Sequence, residues 1–158
     1  MVKSLAELIR QLDIYFNSGN EKSKMQCIIP LINNYTGIDW KDTVSYDHYN
    51  YKKNLIYQSK HYELYVICWL PNHKTPTHNH SENGCIFKIL DGTMTEIRYN
   101  NKREKTINIY QTGTTHYIDN DIGVHQVTNA EKRLPLVSLH LYSPINYKYI
   151  TEKSEYSK

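Results

Sequence analysis

Residues 136–144 read Leu-Val-Ser-Leu-His-Leu-Tyr-Ser-Pro, with Val137, Leu139 and Leu141 at alternate positions and Ser138, His140 and Tyr142 between them. A period of two sends the apolar set to one face of an extended chain and the polar set to the other, which is a strand pattern. The same period runs through residues 61–69, HYELYVICW, where Tyr62, Leu64, Val66 and Cys68 share a face. Residues 85–90, CIFKIL, run into Asp91-Gly92, a dipeptide suited to a tight hairpin, before TMTEIRY at 93–99 continues outward. Asn100-Asn101 is a second turn signal. From about Tyr46 onward the chain is a series of short runs of Tyr, Ile, Val and Thr broken by Asn, Gly and Pro. That composition predicts antiparallel β-structure.

The N-terminal part differs. In SLAELIRQLDIYFNSGN, residues 4–20, Leu5, Leu8, Ile9, Leu12 and Phe16 recur at helical spacing, Ser4 and Glu7 are placed for a capping box, and Gly19 follows the last turn. A second apolar segment, MQCIIPLINNY at 25–35, predicts partial helix, with Pro30 set against a long one. Helices therefore come first and strands after. No repeat, low-complexity tract or long linker appears, so the strands must close on one another or stack as two sheets. The expectation is a mainly β chain of one domain, 1–158: a helical segment over 1–45, a β-barrel with the helices packed on its outside over 46–145, and a C-terminal extension over 146–158.

Charge and cysteine usage exclude more than they identify. Lys and Arg number 19 against 16 Asp and Glu, a net charge of +3 with no basic stripe, so neither nucleic acid nor a membrane surface is predicted as a partner. No run of about 18 apolar residues and no signal-peptide pattern occurs, which gives a cytoplasmic protein as the expectation. The three cysteines, Cys27, Cys68 and Cys85, include no CxxC pair, which argues against a disulfide framework or a structural thiolate site. No heptad or long apolar surface helix is evident, so a monomer is expected.

Residues 77–80, THNH, put His78 and His80 two apart in a context that reads as strand, so both imidazoles can reach one ion. His125, after Ile122-Gly123 at the start of VHQVTN, could supply a third nitrogen from a neighbouring strand. Hydroxyl, imidazole and phenol at Ser138, His140 and Tyr142 can form a hydrogen-bonded row that fixes the phenol. The other reading of that face is a polar sheet surface in water.

Three separated segments, HNHSENGCIFKILDG (78–92), IGVHQVTN (122–129) and SLHLYSP (138–144), together resemble the corresponding segments of cysteine dioxygenase, an iron enzyme of the cupin fold. The resemblance runs from the N-terminal helix to beyond Tyr142. It implies a cupin-type jelly-roll barrel, an Fe(2+) cofactor on His78, His80 and His125, and transfer of both atoms of dioxygen to a thiol sulfur, giving cysteine sulfinic acid from L-cysteine. It also implies a part in cysteine catabolism. Where the general cupin pattern has a glutamate ligand, this chain has Cys85. Three neutral imidazoles leave the dipositive charge of iron uncompensated, so an anionic thiolate substrate is welcome there. By the same resemblance Cys85 and Tyr142 match a pair joined through a thioether, Ser138 and His140 lie behind the tyrosine, and Tyr51 is a phenol near the substrate carboxylate. Trp69 and Cys68 are read as packing.

One departure bears on the substrate. The family's carboxylate-binding arginine falls in a segment resembling YKKNLIYQ (51–58), where this chain has Lys53. Arginine offers a planar fork and lysine a mobile point charge, so Lys53 or the adjacent Lys52 could serve cysteine less well, or the pocket could prefer 3-mercaptopropionate or cysteamine. A metal-binding cupin without catalysis is the reading from a different class.

Overall fold

The structure is a computed structural model and describes residues 1–148, 150 and 151. Of the C-terminal extension expected over 146–158, residues 149 and 152–158 lie outside the described residues. Helix α1, Leu5–Tyr15, starts where Ser4 Oγ accepts the Glu7 N–H at 3.1 Å. The return bond of the expected capping box is displaced by one residue, since the Glu7 carboxylate takes the Lys3 N–H at 3.0 Å. Leu5, Leu8, Leu12 and Phe16 are buried, as the spacing predicts. Pro30 does no damage, because Met25–Ile28 is a separate 3₁₀ turn and Pro30 sits in the first turn of α2, Ile29–Asn33, where its missing N–H has no helical partner to lose.

Eight strands follow: β1 Lys52–Gln58, β2 Glu63–Trp69, β3 Cys85–Asp91, β4 Thr93–Tyr99, β5 Lys105–Gln111, β6 Thr115–Ile118, β7 Val124–Thr128 and β8 Leu136–Tyr142. They form two antiparallel sheets, ordered β1-β2-β8-β3-β6 and β5-β4-β7. The mainly β jelly-roll expectation is met, with two sheets rather than one continuous barrel wall. Among the described residues no helix is long and apolar enough to cross a membrane.

Asp91-Gly92 is not a hairpin. Strands β3 and β4 belong to different sheets, and the dipeptide is the corner between them. Gly92 has φ +95°, and a Cβ there would lie 2.8 Å from the Pro135 carbonyl oxygen, so the corner needs a residue without a side chain. The expected turn at Asn100-Asn101 does close a hairpin, with Tyr99 opposite Lys105.

The helices lie on the outer face of the five-stranded sheet, so its central strands are buried on both sides. One core joins Leu8, Leu12, Phe16 and Ile32 to Tyr62, Leu64, Val66, Val137, Leu139 and Leu141. The second, between the sheets, contains Ile67, Trp69, Cys85, Phe87, Ile89, Met94 and Val127. The polar face of β8 is thus turned inward, and the reading of it as a water-facing surface is excluded: Ser138 and His140 are buried.

Lys88 ties the helical layer to β3. Its ammonium is buried and donates to the carbonyls of Asn33 at 2.7 Å and Tyr35 at 2.6 Å, at the end of α2. These are carbonyls that a helix terminus leaves without partners. Lys88→Met keeps the aliphatic stem and removes the donors, so we expect a loss of about 1–3 kcal/mol in urea denaturation. An unchanged denaturation midpoint would show that water serves those carbonyls equally well.

Candidate metal centre

The segment carrying His78 and His80 is not a strand. It runs beside β7 through isolated bridges, Lys74 with Thr128 and His78 with His125. The pairing is reciprocal at the candidate site: His78 N–H donates to the His125 carbonyl at 3.0 Å and His125 N–H to the His78 carbonyl at 3.2 Å. His80 is held by one side chain, since the Asn120 amide accepts from its N–H at 2.8 Å and donates to its carbonyl at 2.9 Å. Asn120 lies in the turn before β7, where the Asp119 carboxylate accepts the N–H groups of Asp121 and Ile122. Gly123 completes that turn with φ +141°, and a Cβ there would lie 2.1 Å from the Tyr99 carbonyl oxygen.

These contacts bring three buried imidazoles together, and one nitrogen from each lies within 4.8 Å of the others. Their protons are largely assigned by their neighbours. His78 Nδ1 lies 2.8 Å from the Pro76 carbonyl and His125 Nδ1 lies 2.7 Å from the Glu96 carboxylate; both partners only accept, so both nitrogens carry hydrogen and on each ring Nε2 holds the lone pair. Neither ring nitrogen of His80 has a hydrogen-bond partner among the described residues. A buried polar group without a partner is costly unless something binds it. Burial, reinforced by the neighbouring imidazoles, lowers His78 to about 3 and His80 to about 2, and keeps both neutral. An attraction to the Gly123 backbone only partly offsets this at His80. Neutral imidazoles with an orphaned buried nitrogen fit a divalent transition metal.

The inward face of β8 carries the expected row and one member more. His140 Nε2 is 2.8 Å from Ser138 Oγ, His140 Nδ1 is 3.1 Å from the Tyr142 hydroxyl, and Trp69 Nε1–H donates to Ser138 Oγ at 3.0 Å. Trp69 therefore does more than pack. Cys85 lies opposite Tyr142 in the β3–β8 register, and its sulfur is 3.9 Å from His140 Nδ1. Burial pushes the Cys85 thiol up to about 12 and holds His140 well below its ordinary value.

Tyr51, Lys53, Cys85, His140 and Tyr142 line the same pocket as the three histidines, around a cavity of about 40 Å³. The Lys53 ammonium sits 4.6 Å from the Tyr65 ring centre and 4.7 Å from that of Tyr142. The side chain as a whole is exposed, but protein atoms crowd the ammonium enough for desolvation to lower its pKa, with Cys85 and Glu63 pulling the other way. Lys52 points elsewhere and donates to Ser45 Oγ at 2.6 Å. Tyr51 stacks on Trp69 with ring centres 4.7 Å apart.

Three features went unread in the sequence. Glu63 lines the pocket on the face of β2 opposite Leu64, and Tyr147 lines it while donating to Asn79, the residue between the two histidines. The third, Glu96, is fully buried behind His125, and hydrogen bonds from His125 and Tyr110 lower it to about 2 despite burial. Its sharing of an alternating face with Met94 and Arg98 was the signal available.

The family model described as cysteine dioxygenase type I matches residues 1–154. A cysteine dioxygenase type 1 from Bos taurus is 30% identical over 152 residues, covering 90% of this chain and 75% of the relative. Among solved structures, a Klebsiella pneumoniae protein with a double-stranded β-helix domain aligns with a TM-score of 0.60 at 12% identity, over 72% of this chain and 88% of its own. A cupin superfamily protein from Desulfitobacterium hafniense aligns with a TM-score of 0.51 at 7% identity, over 63% of this chain and 83% of its own. These two likenesses show the fold.

Burial of neutral imidazoles makes stability depend on pH. His78 and His80 titrate near 6.5 when unfolded and at about 3 and about 2 when folded, so the unfolded chain binds more protons throughout that window. The stability they permit is fully present above 6.5 and falls as pH drops towards 3, by about 1.4 kcal/mol per pH unit for each imidazole. Metal-stripped protein should therefore show a clearly lower urea midpoint at about pH 5.5 than at about pH 7. Equal midpoints would mean that these rings are solvated.

Proposed function

The chain belongs to the cysteine dioxygenase type I family, and from that premise we propose that it is an iron(II)-dependent dioxygenase that converts L-cysteine to cysteine sulfinic acid. The observation that carries this reading is the sharing of one small pocket by three neutral imidazoles, the Tyr142 phenol and the Lys53 ammonium. His78, His80 and His125 would hold the ion. An iron(II) ion there would supply one-electron redox chemistry for a thiolate and dioxygen. In the net reaction sulfur gives up four electrons, dioxygen takes four, and both oxygen atoms end on sulfur.

The remaining roles belong to the chain's own side chains. Ser138 is fully buried, and its hydroxyl proton has one acceptor in reach, His140 Nε2, because Trp69 only donates to it. The proton on His140 is thereby assigned to Nδ1, which donates to the Tyr142 oxygen. Tyr142 would then donate its own O–H away from His140, to the neighbouring Cys85 sulfur or, with substrate bound, to a substrate oxygen or sulfur. The high pKa of Cys85 keeps its sulfur a neutral thiol that does not compete with a substrate thiolate.

Lys53 selects the other end of the substrate. A cation on the pocket wall favours a thiol with a carboxylate, which disfavours cysteamine, and Glu63 on the same wall favours a zwitterion over 3-mercaptopropionate. Tyr51, stacked on Trp69 in the same pocket, would donate to that carboxylate. Incubation of the iron-loaded protein with all three thiols in air, with products identified by mass spectrometry, should give sulfinic acid chiefly from cysteine. Preferred turnover of 3-mercaptopropionate would reassign the substrate, and oxidation of none would leave a metal-binding cupin without catalysis. Lys53→Arg, by restoring a bidentate fork, should lower the KM for cysteine, while Lys53→Met should raise it by about tenfold or more.

The register of Cys85 against Tyr142 sets the two side chains on neighbouring strands at about 4.5–5.5 Å between Cβ atoms. We expect a thioether to form between sulfur and the phenol ring. The S–H and one ring C–H bond break, an S–C bond forms, and dioxygen takes up the two electrons and two protons. Intact protein after turnover should contain a species lighter by the mass of two hydrogens, abolished in Cys85→Ser. A single unshifted mass would leave the pair unlinked.

A further inference from the structure

Glu96 is a fully buried carboxylate at the centre of the three-stranded sheet. Burying an ionised carboxylate costs several kcal/mol unless hydrogen bonds and opposite charge compensate it, so its retention there calls for a reason. Its partners come from both flanking strands. On the β7 side Oε1 takes the His125 Nδ1–H at 2.7 Å; on the β5 side Oε2 takes the Tyr110 hydroxyl at 2.6 Å and the Asn108 amide at 2.9 Å. Arg98 reaches Oε1 at 3.2 Å, and its buried Nε has no partner among the described residues.

Two features separate this arrangement from a salt bridge that merely closes the sheet. Its two shortest bonds run to His125 and Tyr110, while its contact with Arg98 is the longest of the four. Tyr110 is itself fixed by stacking on His116, with ring centres 3.6 Å apart. The carboxylate is thus pinned from behind and aimed at one imidazole nitrogen, the one opposite the lone pair left for a ligand. The group of three histidines contains no carboxylate.

We infer that Glu96 is a positioning residue for the metal: it locks the His125 ring with its proton on Nδ1 and, through that short bond, lends the imidazole the negative charge that the ligand set lacks. The inference rests on the reading of His78, His80 and His125 as metal ligands. A carboxylate behind a ligating histidine raises its basicity, tightens metal binding and favours the more highly charged ion. Tyr110 and Asn108 moderate this by drawing on the second oxygen.

The test compares the wild type with Glu96→Gln and Tyr110→Phe, measuring cobalt(II) affinity by chelator competition, the reduction potential of bound iron, and urea denaturation of the metal-free protein. Glu96→Gln keeps the size and one acceptor oxygen but loses the charge, so affinity should fall about 10- to 100-fold and the potential should rise. Tyr110→Phe removes a donor from the carboxylate and leaves its bond to His125, so the potential should move the opposite way with affinity undiminished. A purely structural role predicts instead that both variants weaken binding alike, in proportion to lost stability. Unchanged affinity and potential in Glu96→Gln, or shifts of the same sign in both variants, would overturn the inference. Should Glu96→Gln fail to fold, the direction of the shift in Tyr110→Phe decides. If the wild type itself binds no cobalt(II), the metal reading fails, an outcome distinct from wild-type binding that Glu96→Gln leaves intact.

Discussion

The reciprocal backbone hydrogen bonds between His78 and His125 are the contact on which the site depends. The stretch between β2 and β3 forms no regular strand, yet its backbone groups need partners as much as any. It finds them along β7: Thr75 N–H donates to Val127, Asn72 N–H to Asn129, and Asn129 N–H back to His73, with the His78–His125 pair at the end. An interrupted ladder of this kind leaves the segment free to turn its histidines inward at positions a regular pleat would not reach. Asn120 then fixes His80 from the turn before β7. All three imidazoles are consequently referenced to a single strand.

That placement works because the five-stranded sheet is covered on both faces. Helices α1 and α2 pack on its outer side, so the apolar residues of β8 are absorbed there and the inner side can carry Ser138, His140 and Tyr142 without starving the fold of core. Inside, the row cannot use water as a partner, and each donor must find an acceptor within the protein. The buried Trp69 N–H enters at one end and the order of protons along the row follows. A stability requirement of the core thereby sets the order of the hydrogen bonds from Trp69 to Tyr142.

What could be read in the sequence follows this division between local and distant causes. Alternation in 61–69 and 136–144 gave β2 and β8, helical spacing with Ser4 gave α1, and the HxH pair with His125 was legible because motif spacing survives without coordinates. The corner at Asp91-Gly92 was misread, since the same dipeptide suits a hairpin and what decides is the Pro135 carbonyl, brought close only by the fold. Trp69 was read as packing because its polar partner is on β8, far along the chain. Glu96 was missed for the same reason. A single acid on an alternating face is a weak signal until β5 and β7 close around it.

The charged side chains of the site bear on Lys53, which stands where the resemblance to cysteine dioxygenase would place an arginine. Glu96 is taken up behind His125 by that imidazole, Tyr110 and Asn108, which leaves Lys53 facing the pocket with Glu63 at its wall. Under the proposed function a thiolate would answer the bound ion, a carboxylate Lys53 and an amine Glu63. In a confined space such Coulombic attraction is least screened. A fork that fixes the carboxylate plane adds geometric specificity to that attraction. Here the flanking rings of Tyr65 and Tyr142 confine the ammonium instead, and one of those rings bears the hydroxyl that meets His140. Under the proposed function, carboxylate recognition and the orientation of the phenol would be coupled through a single cation.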